Sequence, residues 1–562
     1  MDELHDRVDE FDGLPPGRIL PLPPGVYTLL PLAEQCDNLV LPVEQEWTGQ
    51  ACKRRWDDHV AQQQKPSTPA AAGTADDSAL ADDDDDEQDE VRDPTDGSEF
   101  LTPLFLALPT PPPAQPQTAP QHRRSSASSQ RPAFTAMTPM TPSLRPSSPT
   151  PSGPSPYAAP APTDDEQHKT LSSQPIGFLR PSIVRALIED NRRLVSMNCK
   201  PVWAFQPPIA FPPPPPKTPE RRRSSIARSR SASIKMTRTQ SFYEDDAATG
   251  SSGVRLEDVL QGLKAMAVSG GSSTTTTTAS GPWAVGFEDW INAEGPEARR
   301  EHIDRIVRGW KAKGLFPECL GGWRDEEYLI YAPAPSRGVR ATFRGPREGE
   351  TNPLPGSNEA FRMERSACSL FGIATFGVHC TGYVEETDDK PLRIWVPRRS
   401  PNKQTWPSML DNTVAGGITA GDLPRMSIIR ECAEEASLDP TFVAKRVRQT
   451  NVITYNYRTS DGWLSPEVQY CFDLPLPDPD SAAADAHVIP TTNPADGEVE
   501  SFSLMPVEEV VQRMIDGEFK PNCALVLLDF FIRHGYLTAE SDTRFLDIVS
   551  HLHSPMSLPG PA

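Results

Sequence analysis

The sequence predicts an α/β fold whose ordered part lies mainly in the second half of the chain. Between residues 282 and 550, apolar stretches typical of strands alternate with amphipathic helical patterns, and such alternation indicates a sheet covered by helices on both faces. A glycine-rich loop leads into one helix in the middle of this region. The first half contains most of the 63 prolines among the 562 residues, and proline-rich segments with few apolar residues are expected to be disordered.

Apolar residues at helical spacing, including Ile183, Val184 and Leu187, predict an amphipathic helix just after Pro181. The other predicted elements are, in chain order, a strand at 203–205, a helix at about 297–313, strands within 322–332, 368–385 and 392–397, a helix from 424 to about 436, strands at 451–457 and 468–474, and helices at about 506–516 and 521–535. Strands on both sides of one central helix, with helices at the end, predict an α/β sandwich.

The N-terminal segments are predicted to contain little regular structure. Residues 1–60 are interpreted as a partly ordered segment of unknown role. Trp47 and Trp56 weakly resemble the last helix of a Myb-like DNA-binding repeat, but the prolines between residues 15 and 31 exclude its earlier helices. The alternative is a short helix of unknown use. Residues 61–172, rich in Pro, Ser, Thr, Ala and Asp, are predicted to be disordered and of low complexity.

Charge is distributed unevenly along the chain, whose net charge is −22. Residues 82–90 form an almost unbroken acidic run, whereas residues 221–238 are strongly basic. A globally acidic chain is a poor candidate for dedicated nucleic-acid binding, although the basic stretch alone suits anionic partners.

Cysteine usage and hydropathy predict a soluble cytoplasmic protein, with the nucleus as an alternative location. The nine cysteines are scattered and form no C-x-x-C pair, which indicates free thiols in a reducing compartment. The N-terminal sequence MDELHDRVDE contains no apolar run, so neither a secretory signal nor a transit peptide is expected. No stretch approaches the roughly 18 apolar residues of a membrane span.

Residues 416–438, GGITAGDLPRMSIIRECAEEASL, form the most informative stretch of the chain. Its glycines permit a tight loop, and Pro424 suits the first turn of a helix. At roughly 100° per residue, three glutamates fall within an arc of about 100° on one helix face. These glutamates are Glu431, Glu434 and Glu435, and the residues opposite them, which are expected to pack on a sheet, are Ile429, Cys432, Ala433 and Ala436.

Three carboxylates on one helix face repel each other, and a bound divalent cation removes that repulsion. Ligation by oxygen atoms alone suits Mg²⁺, and Mn²⁺ accepts it. The pattern therefore predicts a Mg²⁺ site formed by Glu431, Glu434 and Glu435. The alternative, a solvated acidic helix face, does not explain the glycine-rich loop and Arg430 at fixed spacing before the glutamates.

The spacing of this stretch resembles the signature of the Nudix hydrolases, with two departures. Asp422 stands where the signature usually has Glu, and Ser437 stands where a Gly usually ends the helix. The resemblance implies a Nudix α/β/α sandwich and metal-dependent hydrolysis of a diphosphate linked to an organic group. It also implies catalytic roles for Glu431 and Glu434, orientation of a glutamate by Arg430, and substrate binding at the loop of Gly416 and Gly417.

Within that superfamily, the second half is similar to the fungal and plant proteins labelled thiamine-pyrophosphokinase-related. The resemblance rests on residues 322–332 (GWRDEEYLIYA), 370–384 (LFGIATFGVHCTGYV) and 392–418 (LRIWVPRRSPNKQTWPSMLDNTVAGGI). These relatives are associated with dephosphorylation of thiamine diphosphate and its oxidised forms to the monophosphate. A kinase activity is not expected, because the chain has no G-x-x-x-x-G-K-[ST] nucleotide loop.

This resemblance also implies the domain organisation. Residues 176–206 and 282–365 are expected to form one split N-terminal α/β region. Residues 207–281 are expected to be a disordered basic insertion, and residues 366–550 the Nudix hydrolase domain. Within the insertion, three serines follow arginines in the pattern that basophilic kinases recognise, which suggests kinases or phospho-binding proteins as partners. These serines are Ser225, Ser231 and Ser233.

Further side chains are candidates for the site. Nudix folds often take another carboxylate from a later loop, and either Glu498 or Glu500 is suitably placed as base or ligand. Arg398, Arg399 and Lys403 lie just before the glycine-rich loop and are candidates for phosphate binding, with solvated surface charge as the alternative. Stacking on an aromatic substrate is a less favoured role for Trp323, Tyr328 and Trp406, and His379 is expected to be buried and hydrogen-bonded rather than catalytic.

Three other functions remain open at this point. A Nudix hydrolase of nucleoside-diphosphate compounds would use the same carboxylates on a different substrate. A non-catalytic Nudix scaffold would have no need for the glutamate trio. A nuclear regulator would act through the segment from Trp47 to Trp56 and the basic stretch, and salt-sensitive DNA binding by residues 1–70 would support it. Testing purified protein against a panel of diphosphates separates these possibilities.

Overall fold

The computed structural model describes residues 22–44, 47–63, 99–109, 169, 171–211, 282–333, 358–481 and 487–561. Its helices are α1 (Leu30–Cys36), α2 (Gly49–Gln63), α3 (Pro181–Ser196), α4 (Asp289–Glu294), α5 (Pro296–Ala312), α6 (Pro317–Leu320), α7 (Pro424–Ala436), α8 (Pro440–Arg446), α9 (Val507–Ile515), α10 (Pro521–Arg533) and α11 (Phe545–Leu552). Its strands are β1 (Thr102–Leu104), β2 (Gly177–Leu179), β3 (Trp203–Gln206), β4 (Ala284–Phe287), β5 (Glu327–Tyr331), β6 (Glu359–Glu364), β7 (Thr375–Val384), β8 (Arg393–Arg399), β9 (Val414–Gly417), β10 (Arg448–Arg458), β11 (Leu464–Pro475) and β12 (Val499–Pro506). A 3₁₀ helix spans Arg365–Leu370.

A six-stranded mixed sheet forms the centre of the second half, with strand order β10-β11-β7-β8-β12 and β9 paired to β7. Strands β7 and β11 run parallel, whereas the other pairs are antiparallel. One edge of β7 pairs with β9 over Gly377–Cys380 and with β8 only at Tyr383 and Val384. Strands β8 and β9 therefore diverge along this edge of β7, and the sheet opens beside β9, the strand that precedes α7.

Helices cover both faces of this sheet, which confirms the predicted α/β/α sandwich. On one face, Ile428, Cys432 and Ala436 of α7 pack against buried residues of β7 and β11, such as Val378. On the other face, α1, α9, α10 and α11 enclose an apolar core with β8 and β10 that includes Phe530. Among the described residues, no helix has both the length and the apolar composition needed to cross a membrane.

A smaller α/β region contains a four-stranded sheet of order β2-β1-β4-β3 and the β5–β6 hairpin. Strand β3 pairs antiparallel with β4, so that Gln206 lies opposite Ala284 on the two sides of the sequence gap. This pairing supports the interpretation of 176–206 and 282–365 as one split region. The predicted insertion beyond residue 211 and its serines (Ser225, Ser231 and Ser233) lie outside the described residues.

Strand β1 departs from the sequence prediction, because it lies within the range 61–172 that was expected to be disordered. It pairs with β2 and β4 inside the smaller sheet, and Leu104, Phe105 and Leu106 are fully buried. The sequence FLTPLFLAL at 100–108 is locally apolar, but the surrounding Pro- and Asp-rich composition concealed it. The prediction of disorder is therefore wrong for residues 99–109.

The N-terminal segment also packs into the α/β fold. Helix α1 contributes Leu30 and Ala33 to the core beneath the central sheet. Trp47 is buried, and its ring lies 6.2 Å from Phe105 and 5.8 Å from Phe178 of the smaller region. Trp47 thus packs against strands rather than within a bundle of three helices, which contradicts the Myb-like arrangement.

Candidate active site

Helix α7 has the bounds that the sequence predicts. Pro424 occupies its first turn after an extended Leu423, and Ser437 ends it in the left-handed conformation, with φ +55°. Ser437 therefore keeps the geometry for which Gly is usually selected at this position, although a residue with a Cβ adopts it less readily. The buried stripe of α7 is centred on Ile428 and Cys432, both fully buried, rather than on Ile429.

Gly416 and Gly417, which were predicted to form a tight loop, instead lie in strand β9. A Cβ built on Gly416 would lie 2.6 Å from Oε1 of Glu431, and one on Gly417 would lie 2.6 Å from Cζ of Tyr328. Both distances are too short for real contacts. The glycines are thus required for the close approach of these side chains, whereas the tight turn uses Gly421, with φ +99°.

The three glutamates of α7 occupy different environments at the opening in the sheet. Glu435 is buried and accepts a hydrogen bond of 3.1 Å from the backbone N–H of Ala415. Glu434 is the most exposed, with 54% of its side chain accessible, whereas Glu431 is 16% accessible. Burial raises the pKa of Glu431 to about 7, although Arg430 opposes it. Burial and the charge of Glu431 raise the pKa of Glu435 well above its ordinary value.

Arg430 connects the carboxylates around the helix, as the sequence suggests. Its guanidinium pairs with Asp422, donates a 3.3 Å hydrogen bond to Oε1 of Glu431, and lies 3.8 Å from Oε2 of Glu434. Asp422, the first departure from the signature, is thereby used as a partner of Arg430. Arg430 thus contacts three carboxylates, and its role in orienting a glutamate stays a prediction.

The donor set at this end of the molecule fits a divalent cation. Among the described residues, no three His, Cys, Asp or Glu side chains are already arranged to hold a metal ion. The glutamates instead use Arg430 and the Ala415 amide as partners. Ligation therefore requires rotation of these carboxylates. Their crowding, burial and oxygen-only chemistry match the preferences of Mg²⁺.

The two candidate carboxylates from the later loop, Glu498 and Glu500, differ in position relative to the cavity. Glu498 lines the cavity next to the glutamates of α7, pairs with Lys403 and lies 3.4 Å from Arg324. Burial raises its pKa, but the hydrogen bond and charge of Lys403 outweigh burial, and the net pKa is lowered. Glu500 is exposed and is not among the residues that line this cavity.

The three cations predicted to bind phosphate, Arg398, Arg399 and Lys403, also differ in their contacts. Arg399 donates to the carbonyl oxygens of Thr405 and Trp406 at 3.0 and 2.9 Å, and pairs with buried Asp411 at 2.5 Å. Arg398 donates to the carbonyl of Ser408 at 2.8 Å and does not line the cavity. Both arginines thus hold the loop after β8. Arg399 and Lys403 also line the cavity, so a phosphate contact by these two side chains stays a prediction.

A cavity of about 640 Å³ extends from the glutamates of α7 to the polar side of the central sheet. Trp406 lines it and is 37% exposed, whereas Trp323 packs against Lys311 outside it. His379 lies in its wall, is 3% exposed and bonds Asn412 at 2.7 Å. Its burial and its hydrogen bond agree with the sequence prediction. Burial also lowers the pKa of His379 to about 4, so the ring is neutral near pH 7.

The sequence analysis missed the residues at the inner end of the cavity. These are Tyr455, Glu467, Gln469 and Lys520. A usable signal was present in β11, where Ser465, Glu467 and Gln469 alternate with apolar residues and therefore face one side of the strand. Lys520 gave no such signal, because only the folded chain brings the start of α10 to the cavity.

The sequence comparisons agree with this architecture. The model of the NUDIX domain matches residues 378–523. The Saccharomyces cerevisiae protein YJR142W, described as uncharacterized, is 39% identical over 279 residues, which cover 48% of this chain and 72% of that protein. Nudix hydrolase 20, chloroplastic, of Arabidopsis thaliana is 33% identical over 260 residues, or 46% of this chain and 59% of that protein.

Among solved structures, DR0079 of Deinococcus radiodurans is similar over 27% of this chain and 80% of its own, with 20% identity and a TM-score of 0.19, which is too low to support an inference. The yeast relative is described as uncharacterized and therefore names no family. The domain match and the identity with the Arabidopsis hydrolase show that the chain contains a Nudix domain of the hydrolase type.

Proposed function

We propose that the protein hydrolyses thiamine diphosphate, or its oxidised derivatives, to the monophosphate and inorganic phosphate in the cytoplasm. The observation that supports a small-molecule diphosphate is the cavity of about 640 Å³ that joins the glutamates of α7 to a polar pocket. This volume lies within the range of about 300–1,000 Å³ found for small-molecule sites. The preference for thiamine comes from the sequence resemblance.

In the proposed mechanism, Glu431, Glu434 and Glu435 would hold Mg²⁺, which Mn²⁺ could replace. A bound divalent cation lowers the pKa of a ligand water and neutralises phosphate charge. Arg430 orients Glu431 through its 3.3 Å hydrogen bond. Gly416 leaves the space that this carboxylate occupies.

The remaining charged groups position the diphosphate. Glu498 holds Lys403 and Arg324 at the cavity wall, where both cations can approach phosphate oxygens. Because these cations favour its charged form, Glu498 is better suited to positioning them than to accepting a proton. The reaction breaks the bond between the terminal phosphorus and the bridging oxygen, and the water supplies the oxygen of the released phosphate.

A panel of diphosphates tests the proposal. Purified protein with Mg²⁺ is incubated with thiamine diphosphate, its oxidised derivatives, nucleoside diphosphates, nucleotide sugars and dinucleotides, and phosphate release is measured. We expect the thiamine compounds to have the highest kcat/KM. A higher kcat/KM for nucleoside-diphosphate compounds would replace the thiamine assignment, and no hydrolysis of any compound would support the scaffold interpretation.

A further inference from the structure

Lys520 brings an unpaired positive charge to the inner end of the cavity. It precedes α10 and lines the cavity, and its ammonium group makes no hydrogen bond or ion pair with any residue that the structure describes. Burial lowers its pKa, but the charges of Asp411 and of its other acidic neighbours, including Glu467, together outweigh burial, and the net pKa is raised. The other titratable groups that face it are Arg399, which is positive, His379, which is neutral, and two thiols, Cys36 and Cys523, whose pKa burial raises. Lys520 therefore remains charged.

Glu467 brings an unpaired negative charge to the same cavity. Its Oε2 accepts hydrogen bonds from the hydroxyl of Tyr455 at 2.6 Å and from Nε2 of Gln469 at 2.7 Å. Within the described parts of the chain, its Oε1 has no hydrogen-bond donor, and no cation lies within 4.0 Å of the carboxylate. Tyr455 and Gln469 are both buried, so the carboxylate is held in a fixed orientation while one oxygen stays available.

The two opposite charges are neighbours but do not pair. Glu467 lies close enough to influence the pKa of Lys520, yet the two side chains do not come within the 4.0 Å of an ion pair. Withdrawing two charges from bulk water without pairing them is unfavourable. A ligand between them compensates this if it presents a hydrogen-bond acceptor to the lysine and a donor to the glutamate.

We propose that Lys520 and Glu467 form the subsite that binds the organic group of the substrate, and that this group is a nitrogen heterocycle with an acceptor beside an amino donor. The proposal rests on the proposed function, because the aminopyrimidine ring of thiamine diphosphate belongs to this class. Its ring nitrogen would accept from Lys520, and its amino group would donate to Oε1 of Glu467. The subsite deepens the substrate assignment without altering the roles of the α7 glutamates.

Calorimetry without metal tests the subsite independently of hydrolysis. The probes are thiamine monophosphate, which carries the ring, and inorganic pyrophosphate, which does not. The variants are Lys520→Met and Glu467→Gln, of which the second keeps an oxygen for Tyr455 and Gln469. Matched controls are Lys445→Met and Glu508→Gln, two exposed charges on α8 and α9. Thermal unfolding verifies that each variant is folded.

The proposal predicts that each subsite variant raises the Kd for thiamine monophosphate by about tenfold or more, since hydrogen bonds to charged groups are lost. Pyrophosphate binding and both controls should stay unchanged. Equal loss of pyrophosphate binding in Lys520→Met would make Lys520 a phosphate ligand and overturn the subsite, as would unchanged binding of both probes. Failure of the unmodified protein to hydrolyse thiamine diphosphate, with ring binding still lost in both variants, would reject the proposed function and leave the subsite supported.

Discussion

Replacing Gly416 by Ala tests whether the position of Glu431 controls the reaction. The new Cβ would lie 2.6 Å from Oε1 of Glu431, whereas ordinary contact begins at 3.4 Å. The difference, 3.4 minus 2.6, requires Oε1 to move by about 0.8 Å, and the carboxyl carbon, which lies closer still to the new Cβ, has to move further, unless β9 shifts instead. A displacement near 1 Å lowers an enzymatic rate by about 10²-fold, equivalent to about 2.7 kcal/mol in the activation barrier.

The assay measures kcat/KM for Mg²⁺-dependent hydrolysis together with thermal unfolding. Overpacking is expected to lower the free energy of unfolding by about 1–3 kcal/mol, so the protein should remain folded while activity falls about 10²-fold. Gly560→Ala is the matched control, because its Cβ would lie 3.8 Å from carbon atoms of Phe376, an ordinary contact. Unchanged activity in Gly416→Ala would refute a role for the position of Glu431.

Three further predictions follow from the same structure. Arg399→Met should lower the free energy of unfolding by about 3 kcal/mol in denaturant titrations, because buried Asp411 loses the ion pair with an arginine that is only 11% exposed. A higher KM with unchanged stability would instead indicate that Arg399 binds the substrate's phosphate. Ser437→Gly should raise stability by about 1 kcal/mol, because φ is +55°, and a decrease would contradict this. Replacing residues 213–281 by a short Gly/Ser linker should leave hydrolysis unchanged, because β3 already pairs with β4; lost activity would assign these residues a role in the fold or the site.

The sequence predicted the regular elements of the second half well because local patterns specify them. Pro424 and the helical spacing indicated the bounds of α7, and the apolar run of β8 and the apolar residues of β11 indicated two strands of the sheet. Strand β9 was missed because Val414–Gly417 is short and ends in two glycines, residues that usually disfavour strands. Their purpose depends on side chains from α7 and β5, which no local pattern reveals.

The site was predictable only where its residues are close in sequence. Glu431, Glu434 and Glu435 lie on one helix, so that their shared face follows from helical geometry. The contribution of β1 to the smaller sheet depends on pairing with strands far along the chain. Lys520 and Glu467 meet at the cavity only through tertiary structure, and the use of Arg399 to hold a loop depends on the path of residues 400–411.

The central claim is that the glutamates of α7 support metal-dependent hydrolysis. The most direct test measures kcat with Mg²⁺ for Glu434→Gln and Glu435→Gln, on the diphosphate that the unmodified protein hydrolyses fastest, with Glu508→Gln as control. Both site variants should lose about two or more orders of magnitude in kcat. Metal-free unfolding should show stability equal to or above that of the unmodified protein, because each change replaces a carboxyl group in a crowded acidic cluster by a neutral amide. Unchanged hydrolysis in either variant would contradict the assignment of the site.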